Sequence, residues 1–237
     1  MNCKTLYIIA LFCSLAASSL LAQETIPKDW NSEKIRGSRF IMYFSCNGNP
    51  FLTDKFVIGE IELTDGVKIG NLNLRYSTWQ DELIYFNSAL SAQIIIDKNS
   101  IKGFSFIDAS GQKRSFRQQY FNGFLSGYRY FELLSECDIS LLAFRKAGLH
   151  ACAVYTDISG VVKNVEYQND YTYYLYNPKK GYEQIRIGKN SLLSKFDKHA
   201  HKLIKRILRQ NMVQIVDEQS FVKAWNLICK NGVSVNF

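Results

Sequence analysis

The sequence predicts a mainly β (α+β) protein: an antiparallel meander forming a partly closed barrel or sandwich, with a pair of helices at its C-terminus. Three observations carry this. Short apolar runs separated by turn residues recur from Phe40 to Ile187, the grammar of hairpin-linked strands. The stretch Phe56–Phe86 reads as a long hairpin around Asp65-Gly66 followed at once by a third strand. After Gly188 the apolar period changes from two to three and four, which marks helix.

The first 22 residues are expected to be a secretory signal peptide rather than part of the fold. A short basic start at Met1–Lys4, an apolar run at Leu6–Phe12 and small residues at Ala16–Ala22 lead to a cleavage site at Ala22-Gln23, the usual three-part layout. Ser14, Ser18 and Ser19 break the apolar run, leaving it short of the roughly 20 residues a spanning helix needs. Phe12 before Cys13 disfavours lipid attachment there. The β-rich domain is expected over 23–188 and the helical pair over 189–237.

Gln23–Arg36 is polar and reads as a lead-in, and Phe40–Ser45 as the first strand before the turn-rich Cys46-Asn47-Gly48-Asn49-Pro50. The central hairpin can be argued pair by pair. Asp-Gly favours a two-residue type I′ turn, and counting outward sets Leu63 opposite Lys68, Ile61 opposite Gly70, Gly59 opposite Leu72 and Val57 opposite Leu74. One face then holds Val57, Ile61, Leu63, Leu72, Leu74 and Tyr76, and the other Glu60, Glu62, Asn71, Asn73 and Arg75. Gly59 and Gly70 fall on the apolar face, where a missing side chain allows a bend or a close approach.

Further strands are expected at Leu83–Phe86, Gln93–Asp97, Ile101–Asp108, Lys113–Phe116, Tyr128–Leu134, Ile139–Phe144, Tyr171–Tyr176 and Glu183–Ile187. Leu192, Leu193, Phe196, Ala200, Leu203, Ile204, Ile207 and Leu208 then form one apolar stripe on a single helix over Ser191–Asn211. A second helix begins near Asp217, buries Phe221, Val222, Trp225, Ile228 and Cys229, and ends at Gly232. The tail Val233–Phe237 alternates weakly.

Composition narrows the function classes. Aromatics at 14% and charged residues at 21% describe a globular chain, not a disordered one. The net charge of +8 has a local source: Lys189–Gln210 carries seven basic residues against Asp197 alone. With export expected, no nucleic-acid partner follows from it. Cys46, Cys137, Cys152 and Cys229 lie beyond the expected cleavage site, and an oxidising compartment would allow two disulfides in any of three pairings. Buried free thiols are the alternative.

The chain resembles a family of secreted, β-rich proteins of unassigned function from Gram-negative bacteria. The resemblance runs from about Pro50 to Asn231. It rests on Pro50-Phe51-Leu52, the Asp65-Gly66 turn, Leu74-Arg75-Tyr76 followed by Asp81-Glu82, Tyr130-Phe131-Glu132-Leu133-Leu134, Tyr173-Tyr174-Leu175 and the helical pair. The chain departs at Ser77, where members commonly carry Asn, and at Cys137, where a turn glycine is usual. The resemblance implies a fold and an exported address, and brings no catalytic residues, cofactor or ligand.

Candidate chemistry is sparse. Asp81 and Glu82 are adjacent, so on a strand they point to opposite faces and read as solvated turn carboxylates. Glu60 and Glu62 share a face, which a polar sheet surface explains. His199 and His201 diverge by about 200° on a helix; His150 and Cys152 could share a strand face, yet two ligands make no metal site. No cofactor is expected, and no nucleophile motif such as G-x-S-x-G occurs. Two surfaces remain. Tyr171, Tyr173, Tyr174 and Tyr176 could stack on a sugar or peptide. Lys195, Lys198, Lys202, Lys205, Arg206 and Arg209 give the first helix a basic face suited to an anionic membrane surface, or to solvent if the helix docks on the sheet. The leading expectation is a non-catalytic exported binding protein of the periplasm or cell envelope whose partner is a glycan, lipid or protein. A peripheral membrane protein comes second and an unrecognised hydrolase third.

Overall fold

The computed structural model describes residues 35–41, 46–123 and 126–236. The expected signal peptide, most of the polar lead-in, residues 42–45 of the expected first strand and Phe237 lie outside the described residues.

One antiparallel sheet of 11 strands dominates. Its strands are β1 (Gly37–Arg39), β2 (Val57–Leu63), β3 (Lys68–Ser77), β4 (Glu82–Asn87), β5 (Ala92–Ile96), β6 (Ile101–Ile107), β7 (Lys113–Phe121), β8 (Gly127–Ser135), β9 (Ser140–Phe144), β12 (Thr172–Asn177) and β13 (Gly181–Ile185). Their spatial order is β1-β5-β4-β3-β2-β6-β7-β8-β9-β12-β13. Two meanders therefore run in opposite directions from the β2–β6 joint. A separate two-stranded ribbon, β10 (Ala147–Thr156) and β11 (Val162–Asn169), is inserted between β9 and β12.

The sheet is curled and not closed into a barrel. In a flat sheet the four steps from β3 to β8 would span roughly 19 Å, yet the rings of Tyr76 and Tyr130 stand 6.0 Å apart. Phe104 and Phe116 stack between them at 4.5 Å, and Tyr76 contacts both at 5.5 and 5.3 Å. Burying these rings draws one face of the sheet inward, while β1 and β13 remain separate edges.

The central hairpin pairs as expected at its open end, with Val57 opposite Leu74 and Gly59 opposite Leu72. Nearer the turn the register is shifted, with Ile61 opposite Ile69 and Glu62 opposite Lys68. The turn has three residues, closed by Leu63 N–H to Val67 O (2.8 Å) and Gly66 N–H to Leu63 O (2.9 Å), with Gly66 at φ +88°. That is the longer hairpin turn, in which the glycine takes the left-handed position. The slip it introduces is cancelled by a bulge at Gly70-Asn71, where Asn71 adopts φ 58°. Gly70 is consequently exposed, not on the apolar face, with open space where a Cβ would stand. The apolar set holds except at its open end: Ile61, Leu63, Leu72, Leu74 and Tyr76 are buried, while Val57 is half-buried.

The helical region also differs in detail. The helix expected over Ser191–Asn211 is two: α1 (Lys189–Leu193) and α2 (Lys198–Gln210), with a turn between them. Asp197 caps α2, and its side chain is taken by the Asn236 amide instead of a helix N–H. The last helix, α3 (Glu218–Lys230), starts near Asp217 as expected, and the start is fixed by a reciprocal Asp217–Ser220 capping box. Leu192, Phe196, Ile204 and Leu208 meet Phe221, Trp225 and Ile228 in one core with Leu141, Leu175 and Ile185 of the sheet. The weakly alternating tail packs Val233 and Val235 onto this core, and Asn236 N–H bonds Lys195 O at 2.8 Å.

Gly59 marks where the curl leaves no space. A Cβ there would stand 2.6 Å from the Ser105 carbonyl oxygen and 2.7 Å from Leu74 Cδ1. Gly59→Ala is expected to cost about 1–3 kcal/mol by overpacking, read as a lower urea midpoint. Gly70→Ala, at the open bulge, serves as the comparison and should cost less.

Candidate functional site

A cleft of about 1010 Å³ lies between the sheet and α3. Tyr171 and Tyr173 line its sheet side, with Arg114 and Glu132 from β7 and β8. Val222, Asn226 and Lys230, a helical turn apart, line the other.

An ionic ladder runs through the cleft. Glu132 is buried, and Arg114 donates to both its oxygens, from Nε to Oε1 and from Nη2 to Oε2, each at 2.6 Å. Arg145, only 2% exposed, donates from Nε to the same Glu132 Oε2 at 2.5 Å. Its remaining two nitrogens reach Glu218 Oε2 and Oε1 at 2.6 and 2.8 Å. The Tyr173 hydroxyl donates to Glu218 Oε2 at 2.7 Å. Two guanidinium groups and two carboxylates therefore balance, and sheet and helix are joined through Arg145.

The electrostatics follow. Burial alone would lower the Arg145 pKa, but hydrogen bonds and charge from Glu218 and Glu132 outweigh it and raise it. Burial would likewise raise that of Glu218, yet Arg145, helped by Tyr173 and Arg114, holds its carboxyl below the ordinary glutamate range. Burial and then the Glu218 bond push the Tyr173 phenol up. Tyr171 is half-buried with the Arg145 guanidinium 4.7 Å from its ring centre, a cation–π contact that fixes the ring.

No family model, curated protein or solved structure matches the chain.

Tyr171, just before β12, and Tyr173 lie on one face of the strand, and Tyr174 and Tyr176 on the other. Tyr171 and Tyr173 enter the cleft. Tyr174 and Tyr176 turn the other way, Tyr174 onto Phe121 (5.3 Å) and Phe131 (5.8 Å), and Tyr176 onto Tyr182 (4.8 Å). The basic set divides too. Lys195 sits between α1 and α2 and pairs with Glu183 at 2.5 Å, so it is off the helix face where it was expected. Lys198, Lys202, Lys205, Arg206 and Arg209 are exposed on α2, whose opposite side buries Ile204, Ile207 and Leu208.

Asp81 overturns the expectation of a solvated turn carboxylate. It is 4% exposed and accepts from the Tyr76 hydroxyl (2.7 Å), Lys98 Nζ (2.7 Å) and the Tyr130 N–H (3.3 Å). Its φ of 57° bends the backbone, so the strand rule of opposite faces does not apply. Burial raises the pKa of both Asp81 and Glu82, partly offset in each by Lys98. His150 pairs with Asp170 at 2.9 Å, and His201 bonds the Phe196 carbonyl at 3.1 Å. Among the described residues no group of three or more His, Cys, Asp or Glu is placed to hold a metal.

Sequence reasoning missed Arg114, Glu132, Arg145 and Glu218. The signal was there in part: Glu132 interrupts the apolar Tyr130–Leu134 run and Arg145 directly follows Leu141–Phe144, and a charge amid buried positions needs a partner.

Removing the centre of the ladder tests its role in the fold. Arg145→Met should cost about 3–5 kcal/mol of unfolding free energy, because it strands a carboxylate. A pH series gives a second check. Because Glu218's folded pKa lies below its ordinary 4.5, its contribution is fully present above that value and is lost as pH falls through the folded pKa. The wild-type melting temperature should fall more steeply below pH 4.5 than that of Glu218→Gln.

Proposed function

We propose that the chain is an exported, non-catalytic binding protein of the bacterial cell envelope, and that the cleft beside α3 holds its ligand, a glycan or a protein segment. The observation that carries this is the pairing of Tyr171 and Tyr173 in an open cleft, with Arg145 holding both in place. A half-exposed fixed ring offers a stacking face at little entropic cost. Around it Lys113, Lys223, Lys230 and Asn226 supply polar contacts. The leader-like first 22 residues and the resemblance to secreted β-rich proteins of Gram-negative bacteria support the address. A hydrolase needs two ionisable groups free to exchange protons with a substrate. Both carboxylates of the ladder are engaged by arginine, Glu132 at both oxygens by Arg114 and Glu218 by Arg145, which favours binding over catalysis.

A second reading has its own observation. Lys202, Lys205, Arg206 and Arg209 are exposed along α2 without an ion pair among the described residues, and Leu203, Met212 and Val216 are exposed near them. That combination suits an anionic membrane surface, where each cation contributes about 1 kcal/mol. No helix of the described residues is long and apolar enough to cross a membrane.

One capture experiment with two variants separates the readings. Immobilised mature protein is incubated with cell-envelope extract, and bound glycan and peptide are quantified. Tyr171→Ala should reduce capture about tenfold, a loss of the size expected for an anchoring aromatic, while Lys202→Glu with Arg206→Glu leaves it unchanged. Equal capture by wild type and Tyr171→Ala sinks the cleft reading. Salt-sensitive flotation with anionic vesicles that the charge reversal abolishes moves the assignment to the membrane surface.

A further inference from the structure

The sequence leaves the cysteine pairing open, and the fold narrows it. Cys137 lies in the β8–β9 turn and Cys229 in the last turn of α3, and both line a second cavity of about 530 Å³. Contacts already hold the two segments together. Ser135 Oγ lies 3.5 Å from Cys137 Sγ and donates to Asn226 Oδ1 at 2.5 Å. Asn226 precedes Cys229 by three residues, so their side chains are neighbours on one helix face. The Cys137 thiol also acts on that of Cys229, helping to push it up. Cys46 and Cys152 lie elsewhere, Cys46 beside the Asn47–Glu166 bridge to β11 and Cys152 on β10. All four are free thiols in this structure.

We infer that Cys137 and Cys229 form a disulfide when the folded chain meets an oxidised thiol–disulfide partner, locking the C-terminal end of α3 to the β8–β9 turn. The chemistry is a two-step exchange. The Cys137 thiolate attacks one sulfur of the partner's disulfide, forming a mixed disulfide and releasing the partner's other sulfur as thiolate. Cys229, deprotonated, then attacks the Cys137 sulfur and expels the first partner sulfur. The two cysteines lose two electrons and two protons, and the partner's disulfide becomes two thiols. Burial, then the hydrogen bond to Cys137 and the nearby Asp138, push the Cys229 thiol up, which disfavours Cys229 as the first nucleophile. The cavity both residues line gives the oxidant its approach.

The bond completes a two-ended clamp. Arg145 holds the N-terminal turn of α3 through Glu218, and the disulfide holds the opposite end. Since Val222, Asn226 and Lys230 of α3 line the cleft, the oxidised clamp sets the cleft's width whatever ligand it takes. The inference does not rest on the binding reading.

The test is oxidation of the folded full-length chain with oxidised glutathione, followed by alkylation of free thiols and peptide mapping. A peptide linking Cys137 to Cys229 is expected, both residues should escape alkylation, and reduction should restore labelling. In a Cys46→Ser, Cys152→Ser double variant, oxidation should protect both remaining thiols and raise the melting temperature, a rise that the reductant abolishes. Further replacement of Cys137 by Ser should remove that rise. A linkage of either residue to Cys46 or Cys152 overturns the inference, as does full alkylation of Cys137 and Cys229 after oxidation.

Discussion

Arg145 is the constraint on which the arrangement of sheet and helix depends. Its guanidinium is withdrawn from water, and each of its nitrogens is spent on a carboxylate, Nε on the sheet and the other two on α3. Burying a cation is costly unless it is paired and hydrogen-bonded, so α3 is held where Glu218 reaches this point. Such a pair adds little to net stability, but loss of one partner strands the other's charge, which here disfavours any other arrangement. The arrangement so held is that of a cleft: fixing Glu218 fixes Tyr173 through its hydroxyl, and the face of Arg145 fixes Tyr171.

A second buried charge works within the sheet itself. Asp81 ties the β3–β4 turn to the β8 backbone, to Lys98 before β6 and to the Tyr76 ring at the heart of the curl. A left-handed aspartate at a buried position stores strain that surrounding contacts must offset. Three hydrogen bonds and the stacked Phe104 and Phe116 rings do so. The sheet can therefore curl so far without closing: its inward face is stapled across four strands by aromatic packing and one carboxylate, and its edges need not meet.

Much of this was legible in the sequence because period and turn chemistry are local. The alternation of β2 and β3 identified which residues go inward, and the apolar spacing after Asp217 announced α3. What escaped was non-local or cooperative. The stripe from Leu192 to Leu208 is continuous in period, yet the chain breaks at Ser194–Asp197 because Asp197 and Lys195 are held from outside the helix, by Asn236 and Glu183. The tyrosines of β12 could be sorted by parity into two faces, but only the position of α3 decides which face overlooks a cleft. The ladder itself joins β7, β8, the segment after β9 and α3, and no spacing rule links positions so far apart in the chain.

The β2–β3 hairpin carries two irregularities whose effects cancel: a turn one residue longer than the shortest possible, and an extra residue at Gly70-Asn71. Either alone would exchange inside for outside along everything beyond it, sending Leu72, Leu74 and Tyr76 to solvent. The two slips therefore have to occur together in this sequence, whereas a deletion within either, which leaves Leu63 opposite Val67 and Leu72 opposite Gly59, spares the interior of the sheet.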